Sequence, residues 1–194
     1  PDDPNSISSD FVSELYCDIT GKLLVATKEG LDEFNQKNKM FLHNNLNEKG
    51  SDKIRHTRVT ALYQQKNGIL WIGTFDRGLI KYQRELGVTN IYTTKNGLPI
   101  DYITGILDDD HGNLWVSTTI GVSKFDPNVG TIRTYIYEDG IQGMGETTPM
   151  KSKIGELLFG GVMGLSIFHP DSIKNYDHFP PVYFTDLYLF NKQV

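Results

Sequence analysis

Apolar residues come along this chain in short runs, and four of the runs are nearly the same. They read Gly21-Lys22-Leu23-Leu24-Val25-Ala26-Thr27, Gly68-Ile69-Leu70-Trp71-Ile72-Gly73-Thr74, Gly112-Asn113-Leu114-Trp115-Val116-Ser117-Thr118 and Gly155-Glu156-Leu157-Leu158-Phe159-Gly160-Gly161. Their leading glycines lie 47, 44 and 43 residues apart, a period that marks a repeat architecture. Before each run the pattern alternates, predicting a strand at Phe11 to Asp18, Val59 to Gln64, Tyr102 to Asp108 and, more weakly, Thr147 to Ser152. A polar turn then closes on the anchor glycine, as in Lys66-Asn67-Gly68, where glycine supplies the positive φ of a tight hairpin. The run itself is apolar at successive positions, the pattern of a strand buried on both faces.

A second glycine (Gly30, Gly78, Gly121, Gly164) turns the chain into a third strand that ends in Phe34, Tyr82, Phe125 or Phe168. In the second unit Phe75-Asp76-Arg77 adds one residue to this turn. Fourth strands are predicted at Val88 to Tyr92, Thr131 to Tyr137 and Lys39 to Leu42. Four antiparallel strands per unit predict an all-β fold, a β-propeller of about four blades. The position of Trp71 and Trp115 is predicted to wedge between blades, with Leu24 and Leu158 filling it in the other two. An aromatic cage is the competing reading of the tryptophans, and their regular spacing favours the core.

Composition narrows the function more than the fold. The 194 residues carry a formal charge of -5 and no basic stripe, which argues against a nucleic-acid partner. No apolar run reaches 18 residues, so no membrane-spanning helix is expected. Cys17 is the single cysteine, which excludes an intramolecular disulfide; its inner-strand position predicts a buried, inert thiol. The chain starts Pro1-Asp2-Asp3-Pro4, without Met or a signal peptide, and is read as an excised piece of something longer.

Candidate chemistry is sparse. Asp108-Asp109-Asp110-His111-Gly112-Asn113 has the look of a calcium loop, but its glycine is one position early and no distal Glu follows, so a turn is predicted. His43, His56, His111, His169 and His178 show no chelating spacing. There is no phosphate-binding loop and no Gly-x-Ser-x-Gly elbow. No metal, no cofactor and no catalytic residue is therefore expected. Ligand contacts are expected on loops of one face: Lys28, Glu29, Phe75, Asp76, Arg77 and Met163 in the hairpins, and Asp101, Tyr102, Met144 and Glu146 in the blade-to-blade links. Of these, Phe75, Asp76, Arg77, Tyr102 and Glu146 are the ligand-binding candidates. Phe75-Asp76-Arg77 leads because it breaks the repeat, and an aromatic beside a charged pair suits a sugar ring and its hydroxyls.

Asp109 through Thr118, continuing to Gly121-Val122 and Phe125-Asp126, resembles the two-component regulator propeller repeat. So does Asn67 through Thr74, continuing to Gly78-Leu79 and Tyr82. Asn96-Gly97-Leu98-Pro99 and Asp139-Gly140-Ile141 resemble its links between blades, and Asp3 to Asp10 resembles a longer form of the link. Pro180-Pro181-Val182-Tyr183-Phe184-Thr185-Asp186-Leu187 resembles the opening strand of the tyrosine-rich, immunoglobulin-like domain that follows such propellers. The resemblance implies a partial propeller over 1–178, cut from a seven-bladed ring, and the first strand of the next domain over 179–194. It also implies a periplasmic, non-catalytic sensor of a hybrid two-component histidine kinase that responds to oligosaccharides. A propeller enzyme (lyase or glycoside hydrolase) and a pure interaction scaffold are the alternatives. Blades cut from a ring leave two apolar faces open, so the chain is expected to pair with a second copy or close as a strained small ring.

Overall fold

The computed structural model describes residues 3–43, 56–141, 145, 147–162, 164–173, 188–189 and 192–193. They form four blades in sequence order. The first is β1 (Val12–Cys17), β2 (Leu23–Thr27), β3 (Gly30–Asn35) and β4 (Met40–His43). The second is β5 (Val59–Gln64), β6 (Leu70–Thr74), β7 (Leu79–Gln83) and β8 (Gly87–Tyr92), and the third is β9 (Ile103–Asp108), β10 (Leu114–Thr118), β11 (Val122–Phe125) and β12 (Ile132–Tyr135). The fourth has three strands among the described residues: β13 (Met150–Lys151), β14 (Leu157–Gly161) and β15 (Gly164–Phe168). Each blade is an antiparallel sheet whose strands lie in chain order. A two-stranded hairpin, β16 (Tyr188–Leu189) and β17 (Lys192–Gln193), lies near the C-terminus. The segment Pro180 to Leu187, expected to open a new domain, and the boundary at 178 lie outside the described residues.

The repeat is a repeat of hydrogen bonds as much as of residues. In the first turn of each blade one residue binds in the same two ways. Asp18, Gln65, Asp109 and Ser152 each donate their N–H to the carbonyl four residues on, and each accepts from the anchor glycine three residues on. The anchor glycines take φ of 82°, 88°, 83° and 86°, a left-handed geometry that other L-residues adopt only with strain. Asp109 goes furthest. One carboxylate oxygen accepts from the N–H groups of His111 and Asn113, and the other from the Asn113 amide and the Trp115 indole N–H at 3.0 Å. These bonds hold its carboxyl below the usual range even though burial opposes that. The acidic run is thus a turn, as expected, and its central carboxylate caps a tryptophan.

Trp71 and Trp115 are fully buried, and they are the wedges that their spacing predicts. Trp71 meets Phe125 of the third blade edge-on, with ring centroids 5.5 Å apart, and Trp115 lies 5.1 Å from Phe168 of the fourth. Each indole N–H is satisfied from within its own blade, by Gln65 or by Asp109. Burying one such side chain stabilises by at most roughly 4–6 kcal/mol on area grounds. Three apolar clusters then join blade to blade: the first to the second, the second to the third, and the third to the fourth. Leu98 and Ile141, from the two Gly-containing links, plug the second and third of these. Among the described residues no such cluster joins the fourth blade to the first.

Two expectations fail at these ends. Cys17 is exposed, not buried. Glu14 and Tyr16 of β1 point toward the second blade, so Leu15 and Cys17 fall on the opposite face, which carries no cluster. Leu158 stands at the tryptophan position but is only half-buried. It pairs with Met150 and Ile167, both more than half exposed, on the face turned away from the third blade. A strand that reads as buried on both sides is buried on both only when blades flank it.

Glu14 is a strap across the first blade junction, its carboxylate accepting the Leu62 N–H at 2.6 Å. Burial pushes its carboxyl up from 4.5 to about 7, against the opposing effect of that hydrogen bond. Between these values the folded chain holds a proton that the unfolded chain has released, so stability falls as pH rises across the window. Denaturant unfolding of Glu14→Gln, which cannot ionise, is expected to lack that slope and to exceed the parent chain by a margin that grows from pH 5 to pH 8. A constant margin would show that Glu14 does not titrate there.

Candidate functional site

The inner strands β1, β5 and β9, with the residues leading into β13, surround a cavity of about 160 Å³. Its lining is Phe11, Val12, Ser13, Arg58, Thr60, Tyr102, Thr104 and Thr148. All four blades contribute, which places it on the axis. Phe11, Arg58 and Tyr102 hold one repeat position, the residue just before the inner strand. The repeat therefore delivers three different side chains to one end of the axis.

There they stack. The Arg58 guanidinium carbon lies 4.8 Å from the Phe11 ring and 4.8 Å from the Phe75 ring. Phe75 in turn lies 4.7 Å from Tyr102, centroid to centroid. The result is a ladder in the order Phe11, Arg58, Phe75, Tyr102, with one cation among three rings. Flanking by aromatic faces suits a guanidinium, which is planar and weakly hydrated.

The extra residue in the second hairpin sets the ladder's geometry. Thr74 accepts the Arg77 N–H with its hydroxyl and donates to the Gly78 carbonyl at 2.8 Å. The Phe75 N–H bonds to the Arg58 carbonyl, and the Gly78 N–H to the Asp101 carbonyl at 2.9 Å. These last two bonds clamp the hairpin between the entries to β5 and β9, so Phe75 lands between Arg58 and Tyr102. Gly78 has a φ of 74°, and a Cβ there would sit 2.1 Å from the Tyr92 carbonyl oxygen.

Below the ladder, the Thr60 hydroxyl donates to the Ile103 carbonyl at 2.6 Å and that of Thr104 to Ser117 at 3.0 Å. Among the described residues three buried side-chain polar atoms have no partner: Ser13 Oγ, Thr57 Oγ1 and Arg58 Nε. Two belong to cavity-lining residues and the third to the neighbour of Arg58. Buried polar groups are normally paired, by protein or by water, and these three lie in or next to the lining of one cavity.

Of the candidates read from sequence, Phe75 and Tyr102 come together here. Asp76 is exposed and Arg77 half-buried, at the hairpin tip. Glu146, Met144 and Met163 lie outside the described residues. Sequence reasoning missed Arg58 and Phe11. The signal was there, because both share the repeat position of Tyr102. A larger cavity of about 440 Å³ lies at the first-turn end, among Tyr63, Gln65, Asp108, Asp110 and Lys151. Its charges answer one another, with Lys151 Nζ 2.7 Å from Asp110 and 3.6 Å from Asp108.

Blades of antiparallel strands in chain order around an axis define the class: this is a β-propeller. Residues 53–76 and 97–119 match the family described as two component regulator propeller. "Histidine kinase P4" of Formosa agariphila is 26% identical over 204 aligned residues, which take in the whole of this chain and 14% of that protein. An extracellular domain assigned to a hybrid two component system of B. thetaiotaomicron superposes with a TM-score of 0.76 at 19% identity, over 89% of this chain and 25% of that one. Virginiamycin B lyase from Staphylococcus aureus has a TM-score of 0.61 at 13% identity, over 87% of this chain and 59% of that one. The chain thus spans about a seventh of the kinase and a quarter of the extracellular domain, and the two structural likenesses speak to the fold alone.

Truncating the ladder separates its members. Phe75→Ala removes an aromatic pair and a cation–π contact and is expected to cost about 1–2 kcal/mol of stability. Asp76→Ala, at the exposed tip, is expected to stay within about 0.5 kcal/mol of the parent. Chemical denaturation of both variants checks the contrast.

Proposed function

We propose that this chain is a ligand-binding propeller of a hybrid two-component signalling protein, exposed outside the cytoplasm, that responds to oligosaccharides and does no chemistry itself. The repeat family and the histidine kinase similar to it support the signalling context. The likeness to an extracellular domain is in keeping with a periplasmic or extracellular position. The observation that carries the ligand reading is the axial ladder of Phe11, Arg58, Phe75 and Tyr102 over a cavity rimmed by hydroxyl groups. Aromatic faces stack on the apolar faces of sugar rings, while hydroxyl and guanidinium groups hydrogen-bond their edges. Rings, hydroxyls and a guanidinium bind rather than exchange protons at neutral pH, which favours recognition over the lyase or hydrolase alternative.

Calorimetric titration with short oligosaccharides tests this. Saturable binding by the parent chain, lost in Phe75→Ala, is the expected result. Release of a cleaved or eliminated product from any of these sugars would replace the sensor with an enzyme.

A second reading, that the chain also associates with its own kind, is favoured by the open blade faces. On the fourth blade Met150, Leu165 and Ile167 are each more than half exposed, and Leu15 is 64% exposed on the first. Apolar faces of this kind mark association surfaces. Sedimentation velocity across a concentration series is expected to show a species heavier than the monomer, which Ile167→Asp shifts toward monomer. A single monomeric boundary at all concentrations would remove this reading.

A further inference from the structure

The oligosaccharide reading uses Arg58 for stacking and hydrogen bonding, but a neutral sugar makes no demand on its charge. Aromatic platforms and hydroxyls would suffice for it. Arg58 instead sits at the cavity wall with a ring on either side, its Nε buried and without a partner among the described residues. Among the described residues the cavity lining contains no Asp or Glu. This contrasts with Lys151 at the other end of the axis, which has two aspartates, and with Arg84, whose guanidinium meets Glu33 at 3.0 Å and Asp18 at 3.9 Å. The chain carries a net charge of -5, yet the described lining around this guanidinium holds no acid.

The sandwich has a directional consequence. Phe11 and Phe75 both lie against the guanidinium, and the in-plane N–H groups of a stacked guanidinium are the fork that matches a carboxylate or sulfate group. Ser13 Oγ, also without a partner, adds a donor in the same lining. The rings also fix the side chain in place before any ligand arrives, which reduces the ordering cost of binding.

We infer that the axial site recognises an acidic saccharide, with Arg58 receiving the carboxylate or sulfate group and Phe75 and Tyr102 presenting the platform for a sugar ring. This rests on the oligosaccharide reading above and narrows it to a charge class.

The whole chain is titrated by calorimetry with oligogalacturonates and chondroitin sulfate oligosaccharides, and with galacto-oligosaccharides of the same length as neutral counterparts. The acidic series is expected to bind at least about ten-fold more tightly and to weaken by a similar factor as NaCl rises from about 0.05 to 0.5 M, because the contact is between charges. Arg58→Gln is expected to weaken the acidic series far more than the neutral one, so that the acidic preference disappears, and Arg58→Lys to recover only part of that preference. The salt series needs no variant and stands if Arg58→Gln fails to fold. Preference for the neutral series, or equal and salt-insensitive binding of both, would overturn the charge assignment and leave the oligosaccharide reading standing. If neither series binds, both fall. Retention of the acidic preference in a folded Arg58→Gln would show that Arg58 is only a stacking element.

Discussion

Everything in this molecule depends on a strand that cannot be buried by its own sheet. The second strand of each blade is apolar on both faces, and a four-stranded sheet standing alone would leave one or both of those faces in water. Stacking against neighbours is the solution, and the two tryptophans show its terms. An indole between blades gains area on every side but brings an N–H that must be paired once water is gone. Gln65 and Asp109 provide that pairing from the first turn of the same blade, so the wedge is complete before it meets its neighbour. The first and fourth blades have leucine at that position and need no such acceptor; there Asp18 and Ser152 tie the turn, and Asp18 also faces Arg84 of the second blade.

Much of the architecture was legible in the spacing of glycines and apolar runs, because the constraints there are local. Positive φ in a tight turn asks for glycine wherever it occurs, and the four anchors are found with nearly one conformation. Strand positions follow from them within a residue or two, except in β13, whose two residues form less than the predicted span. Burial of a particular face was not legible for Cys17 and Leu158, since their burial depends on another blade being present. The ligand candidates divide in the same way. Phe75 stood out because an inserted residue breaks the period. Arg58 did not, because the same repeat position carries Phe11 and Tyr102 in its neighbours, and their convergence exists only once the blades surround an axis.

The site and the core are therefore built from separate registers of one repeat. Residues inside the strands alternate between two blade junctions and tolerate little change. Phe11, Arg58 and Tyr102, each just before an inner strand, and Phe75 at the tip of the second blade's hairpin meet one another at the axis, not in the apolar clusters. Chemistry at the axis can change at these positions while the wedges remain as they are, which is how loops on a rigid scaffold acquire function. The 75–77 turn shows what this allows: one added residue, anchored through Thr74 and Gly78, puts a ring between a cation and a phenol.

The blade stack also has a sense of direction. Leu24, Trp71 and Trp115 all point toward the following blade, and Leu62, Leu70 and Ile72 receive the wedge from the preceding one. At the open ends the two roles are split, because the first blade keeps a receiving face with Leu15 and the fourth keeps a donating face with Leu158 and Ile167. The two exposed faces therefore carry different roles of the repeat, one at each end of the stack. A further blade of the same repeat stacked on either face would enter in the same rotational sense. Growth by that rule is head-to-tail, and its only finite outcome is a closed ring; a stack whose rotation fails to close would run on as a helix.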